Sequence, residues 1–268
     1  MTQQQELVTD GDVRVQRDGH VAHVILDRPA KLNAMTTAMD HRMNDVVFEL
    51  NNDDEIRVVL LYGAGDRAFC AGSDINDLDG YGTNWQYRNR FTARLDYARA
   101  VWLLRKPVVA AIQGWCIGGG LEMACASDVR VASPDAQFGA GEIRWGWHGG
   151  SGQTQLLTRA IGPGHASQML LTGEPMNADT AMRVGLVQEL HPREQLVEAA
   201  AAIASSIAEK GPVAAQMTKH MVRVAQSTSL EMGLLYENDS FAYCMTTEDA
   251  AEGRRAFAEK RPPVFRGR

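Results

Sequence analysis

The 268-residue sequence predicts an α/β layer followed by a helical region. Three observations carry this expectation. Short β-rich runs alternate with helical patterns through the first two-thirds. From Ser151 onward the chain is mostly of helical pattern. No strand signal follows about Leu190. Strands alternating with helices imply right-handed crossovers between neighbouring strands.

The elements follow in order. Residues 1–12 are expected to form a loose, polar tail. Residues 20–26, with Val21, Val24, Ile25 and Leu26, predict a strand that Arg28-Pro29 ends. Thr36 or Thr37 caps a helix whose apolar positions are Met39, Met43, Val46, Val47 and Leu50. The apolar run 58–62 predicts a buried strand. A helical stretch over 85–105 stops before Pro107. Strands are expected over 108–112 and 129–132, with a turn, Gly118-Gly-Gly120 and a short helix over 121–126 between them. Helices are expected over 198–207, 213–224 and 247–259, the last capped at Thr246-Thr247-Glu248-Asp249. The expected organisation is a tail over 1–12, a core over 13–195 and a helical region over 196–268.

Composition narrows the function classes. With 45% hydrophobic and 22% charged residues, the chain has the makeup of a folded domain. Its length supports a core without disulfide or metal staples. Lys+Arg is 27 against Asp+Glu 33, a net charge of −6, which argues against nucleic acid as a partner. Cys70, Cys116, Cys125 and Cys244 form no C-x-x-C pair, which suits a reducing compartment, and a cytoplasmic location is expected. No apolar run approaches ~20 residues, so no membrane span is expected. The first residues, Met1-Thr-Gln-Gln-Gln-Glu-Leu-Val, lack the charge and apolar stretch of a secretory signal. The seven histidines show no metal-ligand spacing, and no metal site is expected.

Glycine marks three places: residues 63–65, 118–120 and 146–152. None forms a dinucleotide fingerprint or a phosphate loop. The cluster at 118–120 lies between a predicted strand and a predicted helix. Such a junction exposes unpaired N–H groups and lets a ligand approach the backbone, as an oxyanion site requires. A tight packed turn would use the same residues. Glu122 lies two residues inside that helix, and Glu142 follows twenty residues later. Two carboxylates beside one concave site can divide acid and base work if their environments separate their pKa values. Spacing alone leaves open whether they face each other or are solvated surface charges.

Several ordered motifs now bear on these residues. They are Leu26-Asp-Arg-Pro-Ala-Lys-Leu-Asn-Ala-Met35, Ala68-Phe-Cys-Ala-Gly-Ser-Asp-Ile75 and Lys106-Pro-Val-Val-Ala-Ala-Ile-Gln-Gly-Trp-Cys-Ile-Gly-Gly-Gly-Leu-Glu-Met-Ala124. Ser127-Asp-Val-Arg-Val-Ala132, Gln137-Phe-Gly139, Thr154-Gln155 and Leu171-Thr-Gly173 continue the series. In this order and spacing the chain resembles the enoyl-CoA hydratase/isomerase (crotonase) superfamily, from about residue 13 to residue 266.

The resemblance implies an α/β crotonase-like fold of repeated ββα units in roughly perpendicular sheets, with a helical C-terminal region that assembles the subunits and covers the site. It implies an acyl-CoA substrate and an enolate intermediate held by two backbone N–H groups, those of Ser73 and Gly119. Fixed dipoles aimed at developing charge suit this task. It implies that Glu122 activates the water that adds at Cβ and that Glu142 supplies the proton to Cα. Reversible syn hydration of a 2-enoyl-CoA is the expected reaction, an enoyl-CoA hydratase. The alternative is another crotonase reaction: double-bond isomerisation, hydration coupled to C–C cleavage, or C–C hydrolysis. No resident cofactor is expected, because CoA arrives with the substrate. A homotrimer or homohexamer is implied. RNA binding by such a fold is disfavoured by the net charge, and a silent scaffold by the two glutamates.

By the same resemblance Lys31 and the segment Ala71 to Ile75, including Asp74, lie along the CoA moiety. Lys260 and Phe257 are weaker candidates for contact with CoA. A surface position for Lys31, a loop-holding role for Asp74 and a solvated face around Lys260 are the alternatives. The chain departs from the family in three respects. Ser73 stands where alanine is usual. Gly141 replaces a proline before Glu142. The stretch Arg144-Trp-Gly-Trp-His-Gly-Gly-Ser-Gly-Gln153 lacks the usual proline and carries two tryptophans. Trp145 and Trp147 either reshape the acyl pocket or pack in the core or a subunit contact. His148 is either a third acid–base group or a structural or solvated histidine.

Overall fold

The computed structural model describes residues 11–78 and 96–268. Two sheets organise the chain. The larger has six strands in the order β1-β2-β3-β5-β7-β10: β1 (Asp12–Asp18), β2 (Val21–Asp27), β3 (Val58–Gly63), β5 (Val108–Ile112), β7 (Val129–Ala132) and β10 (Glu189–Leu190). The β1–β2 pair is antiparallel, and the remaining neighbours are parallel. The smaller sheet has the order β4-β6-β8-β9, from β4 (Ala68–Cys70), β6 (Trp115–Ile117), β8 (Gln137–Gly139) and β9 (Met176–Asn177). Three long strands of the first sheet are each followed by a short strand of the second: β3 by β4, β5 by β6 and β7 by β8. A helical element follows each pair, which is the expected repeated ββα unit.

Burial explains why the central strands are continuous apolar runs. Along β3, Val59 and Leu61 face one cluster, whereas Val58 and Leu60 face another. The period of two sends alternate side chains to opposite faces, and both faces are covered. One face meets α1 (Thr37–Asn51) through Met39, Met43, Val46, Val47 and Leu50, the stripe that the sequence predicts. Thr36 accepts the Met39 N–H and caps that helix. The opposite face meets α7 (Arg193–Ala208) through Leu196, Ala200, Ala204 and Ala208. Alanine at every fourth position lets this helix lie close to the sheet. The first helix of the 196–268 region is thus part of the sheet layer.

The remaining helices are α2 (Ile75–Leu78), α3 (Tyr97–Trp102), α4 (Gly119–Ala126), α5 (Gln153–Thr172), α6 (Ala178–Arg183), α8 (Pro212–Ala225), α9 (Leu230–Met245) and α10 (Glu248–Glu259). α5 is kinked at Gly162 before Pro163. Thr247 caps α10 by accepting the Ala250 N–H.

Several expectations shift. Strand β1 begins at Asp12, inside the expected tail. It is a polar edge strand with one fully buried residue, Val13, so it offers little apolar signal. The strands β4, β6 and β8 have three residues each, too short for a period to register. The expected helix over 85–105 falls partly on 79–95, outside the described residues. Within the described residues α3 starts after its cap Asp96 and ends at Trp102, with Leu103 as its C-terminal cap.

Candidate active site

The first part of the site is built where β6 gives way to α4. Gly118 precedes α4 with φ 57° and ψ −122°, a conformation that a side chain would oppose. A Cβ there would also lie 2.9 Å from Glu142 Oε1. The Gly118 N–H donates to the Gly139 carbonyl, and its own carbonyl accepts from Glu122 N at 3.0 Å. This closes the first turn and leaves the Gly119 N–H outside the helical ladder.

The loop after β4 approaches the same place. Met35 and Ser73 form an isolated parallel bridge in which Met35 N donates to Gly72 O and Asp74 N donates to Met35 O. A parallel ladder that uses Gly72 and Asp74 leaves the intervening Ser73 N–H pointing away. A Cβ on Gly72 would sit 3.2 Å from Gly119 N, so the two loops touch backbone to backbone. The N–H groups of Ser73 and Gly119 make no hydrogen bond among the described residues. The Ser73 hydroxyl is 2.9 Å from that of Tyr97, a residue outside the sequence-derived set.

The carboxylates complete the site. Glu122 on α4 is 6% exposed. Its Oε1 accepts from Ser151 N at 2.8 Å and Gln153 N at 3.3 Å. Glu142 lies in a 3-10 turn, Gly141–Trp145, directly after β8 and Ala140. Its Oε1 accepts from Gln153 Nε2 at 3.0 Å. Its Oε2 is buried with no hydrogen-bond partner among the described residues. Gln153, at the start of α5 and 1% exposed, therefore touches both glutamates. Its Oε1 accepts from Gly149 N, which fixes which end of the amide faces Glu142.

Burial pushes the Glu122 carboxyl up to about 7, against the two backbone N–H bonds that favour its charge. The nearby charges of Asp96 and Glu142 push in the same direction as burial. A carboxyl near neutrality can both take and give a proton. The unpartnered Glu142 oxygen is a ready acceptor beside it.

The other sequence-derived residues divide. Asp74 has both oxygens occupied: Oδ2 by Arg28 Nη1 at 2.7 Å, Oδ1 by the Asn76 backbone and side chain. Arg28 first, and the Asn76 backbone next, hold its carboxyl below the usual range. Ala71 N donates to Leu32 O, which ties its loop to the 3-10 turn Pro29–Lys31. Lys31 and Ile75 are exposed beside that loop. Trp147 is 45% exposed, and its N–H donates to the Glu142 carbonyl. Trp145 is 68% exposed, so neither tryptophan packs into the core of the chain. His148 Nδ1 lies 2.8 Å from Gly149 O. No hydrogen bond or ion pair among the described residues links Phe257 or Lys260 to the glutamates. Phe257 is exposed on α10, and Lys260 ends that helix at φ 54°.

Gln153, Tyr97 and Arg28 escaped the reading of the sequence. A glutamine opening a helix after a glycine-rich run was the one local signal for the first of them. Among the described residues no group of three or more His, Cys, Asp or Glu could hold a metal ion. Among the same residues no helix is long and apolar enough to cross a membrane.

The family model for enoyl-CoA hydratase/isomerase matches residues 16–268. The chain belongs to this family. It is 36% identical over 255 residues to the short-chain-enoyl-CoA hydratase of Clostridium acetobutylicum, covering 93% of this chain and 95% of that protein. It is 36% identical over 257 residues to the (E)-benzylidenesuccinyl-CoA hydratase of Thauera aromatica, covering 95% and 99%. The crystal structure of an enoyl-CoA hydratase from Bacillus anthracis superposes with a TM-score of 0.89 at 34% identity, covering 96% of this chain and 99% of that one. The enoyl-CoA hydratase/isomerase fold is thus the frame in which the two glutamates and the glycine-lined loops sit.

Proposed function

We propose that the protein is an enoyl-CoA hydratase that adds water reversibly and syn across the double bond of a 2-enoyl-CoA thioester. The bridge from Glu122 through Gln153 to Glu142, beside Gly118 and Gly119, carries this reading. Water attacks Cβ as Glu122 takes its proton. The electron pair moves onto the thioester oxygen, where the Ser73 and Gly119 N–H groups receive it. The enolate collapses as Glu142 delivers a proton to Cα. Dehydration reverses each transfer.

The reaction is redox-neutral, so its balance calls for no nicotinamide or flavin, and no metal is needed to activate the water. CoA enters as part of the substrate, with Lys31, Ala71, Asp74, Ile75 and Lys260 along its path and Trp147 and His148 towards the acyl end. The chain is 36% identical both to a short-chain-enoyl-CoA hydratase and to an (E)-benzylidenesuccinyl-CoA hydratase, so the test spans short and aryl acyl groups. Assembly as a homotrimer or homohexamer is part of the proposal. It is supported by Leu230, Leu234, Leu235, Phe241 and Tyr243, all exposed on α9. A cytoplasmic location completes it, supported by four free cysteines.

The test is product analysis in ¹⁸O-labelled water with short, medium and aryl 2-enoyl-CoA esters, beside Glu122→Gln and Glu142→Gln. Labelled oxygen at Cβ, lost in both variants, is the expected result. Exchange of protons without oxygen entry would make the enzyme an isomerase instead.

A further inference from the structure

Tyr97 is buried and occupies the space between the two loops that carry the unpaired N–H groups. Its hydroxyl is 2.9 Å from Ser73 Oγ. On the other side, a Cβ built on Gly119 would fall 1.9 Å from the same oxygen, so the phenol rests directly on the Gly119 backbone. One hydroxyl therefore touches both residues whose N–H groups make no hydrogen bond among the described residues. Its ring is set by the cap of α3: Asp96 Oδ1 accepts from Ala98 N at 3.0 Å and Arg99 N at 2.9 Å. That cap fixes the start of a six-residue helix, and Tyr97 is its first residue. Burial, with Cys70 nearby, keeps the phenol pKa well above its ordinary value, so the hydroxyl keeps its proton.

We propose that Tyr97 is a positioning residue of the oxyanion site, holding Ser73 and Gly119 at the separation that an enolate oxygen requires. This rests on reading those two N–H groups as the enolate's donors. Such donors act through placement, and a shift of a fraction of an ångström weakens them in the transition state more than in the bound ground state. A phenol wedged between two backbone loops, bonded to one and in contact with the other, fixes that placement.

The experiment compares wild type with Tyr97→Phe, Ser73→Ala and the double variant. Each is followed by thermal melting, by kcat and KM on a four-carbon 2-enoyl-CoA, and by the spectrum of a bound aminoaryl 2-enoyl-CoA. The absorption band of that chromophore moves to the red as its carbonyl is polarised. Tyr97→Phe is expected to lower kcat about tenfold with KM within about twofold, and to shrink the red shift. Ser73→Ala, which keeps its backbone N–H, is expected to do the same. The double variant is expected to be no slower than the slower single one, because both substitutions break one contact.

A Tyr97→Phe enzyme with a lower Tm but full kcat and full red shift would overturn the proposal, and so would losses that multiply. If Tyr97→Phe does not fold, Ser73→Ala decides by the same two readings. A wild type that shifts the chromophore but hydrates nothing would remove the hydratase reading and leave Tyr97 testable by the red shift. A wild type that gives no shift would overturn the donor reading, and this proposal with it.

Discussion

The side-chain amide of Gln153 donates to Glu142 Oε1 at 3.0 Å while the backbone N–H of Gln153 reaches Glu122 Oε1 at 3.3 Å. One residue thus bridges the two carboxyl groups. Gln153→Leu keeps the buried volume and the backbone bond but removes the donor to Glu142 and the acceptor of the Gly149 N–H. It is expected to lower kcat by about 10- to 100-fold with KM changed less than about threefold, since in the proposed mechanism the bond to Glu142 bears on proton transfer. Steady-state kinetics on a four-carbon 2-enoyl-CoA check this. An unchanged kcat would reduce Gln153 to a packing role.

Burial of the Glu122 carboxyl costs the folded chain stability once that group ionises. Its carboxyl titrates at about 7 in the folded chain and near 4.5 when unfolded, with burial as the main cause. Between these values the folded state binds more protons than the unfolded state, so stability falls as pH rises through this window. Above it, the deficit stays constant, on the order of 3 kcal/mol. Glu122→Gln still offers an oxygen to the Ser151 and Gln153 N–H groups and does not titrate. The variant is expected to melt above wild type at about pH 8, with the gap closing towards about pH 4.5. Its kcat falls by about 100-fold or more. A melting difference independent of pH would contradict the buried-charge account.

The activity profile follows from proton balance. In the proposed mechanism hydration moves one proton from Glu142 to Glu122, so the reactive pair holds a single proton in either direction. The apparent pKa values then belong to the pair. With the Glu122 carboxyl pushed up to about 7, kcat/KM is expected to fall as pH rises through that value and the shared proton is lost. The same limb must appear for hydration and dehydration, because their ratio is a pH-independent equilibrium constant. Initial rates from both sides, across the pH range, check this. Limbs at different pH in the two directions would exclude a shared proton.

The central strands were legible because each is a continuous apolar run buried on both faces, as in Val58 to Leu61 and Val108 to Ile112. Helix α1 was legible from its stripe and its Thr36 cap. The second sheet was not, because its strands are held by register with neighbours far along the chain: Cys70 beside Cys116, Phe138 beside Met176. The same holds for the site. Glu122, Glu142, Ser73 and Gly119 stand out by motif, but Gln153, Tyr97 and Arg28 matter only through what the fold sets against them. Glu122 meets Gln153 across 31 positions, and Arg28 meets Asp74 across 46. Spacing carries no record of such pairs.

The pair Arg28–Asp74 gives the last prediction. Both side chains are largely buried, at 6% and 13% exposure, and their 2.7 Å bond anchors the residue that follows Ser73. Asp74→Ala takes the carboxylate from a buried guanidinium and is expected to cost about 3 kcal/mol. Asp74→Asn keeps the shape and one acceptor, and is expected to lose less, with kcat reduced by less than about tenfold as the Ser73 N–H drifts. The pH dependence separates this from Glu122. Arg28 holds the Asp74 carboxyl below its ordinary range, so the pair stabilises the fold above the unfolded pKa. That contribution is lost as pH falls through the folded value. Wild type is therefore expected to melt above Asp74→Asn near neutrality, with the gap closing in acid. Both gaps close in acid, but from opposite sides: Glu122→Gln melts above wild type and Asp74→Asn below it. Melting curves of the two variants over one pH series thus distinguish a buried acid strained by its charge from one stabilised by its partner. An Asp74→Asn gap that persists undiminished in acid would show that the loop depends on packing rather than on the ion pair.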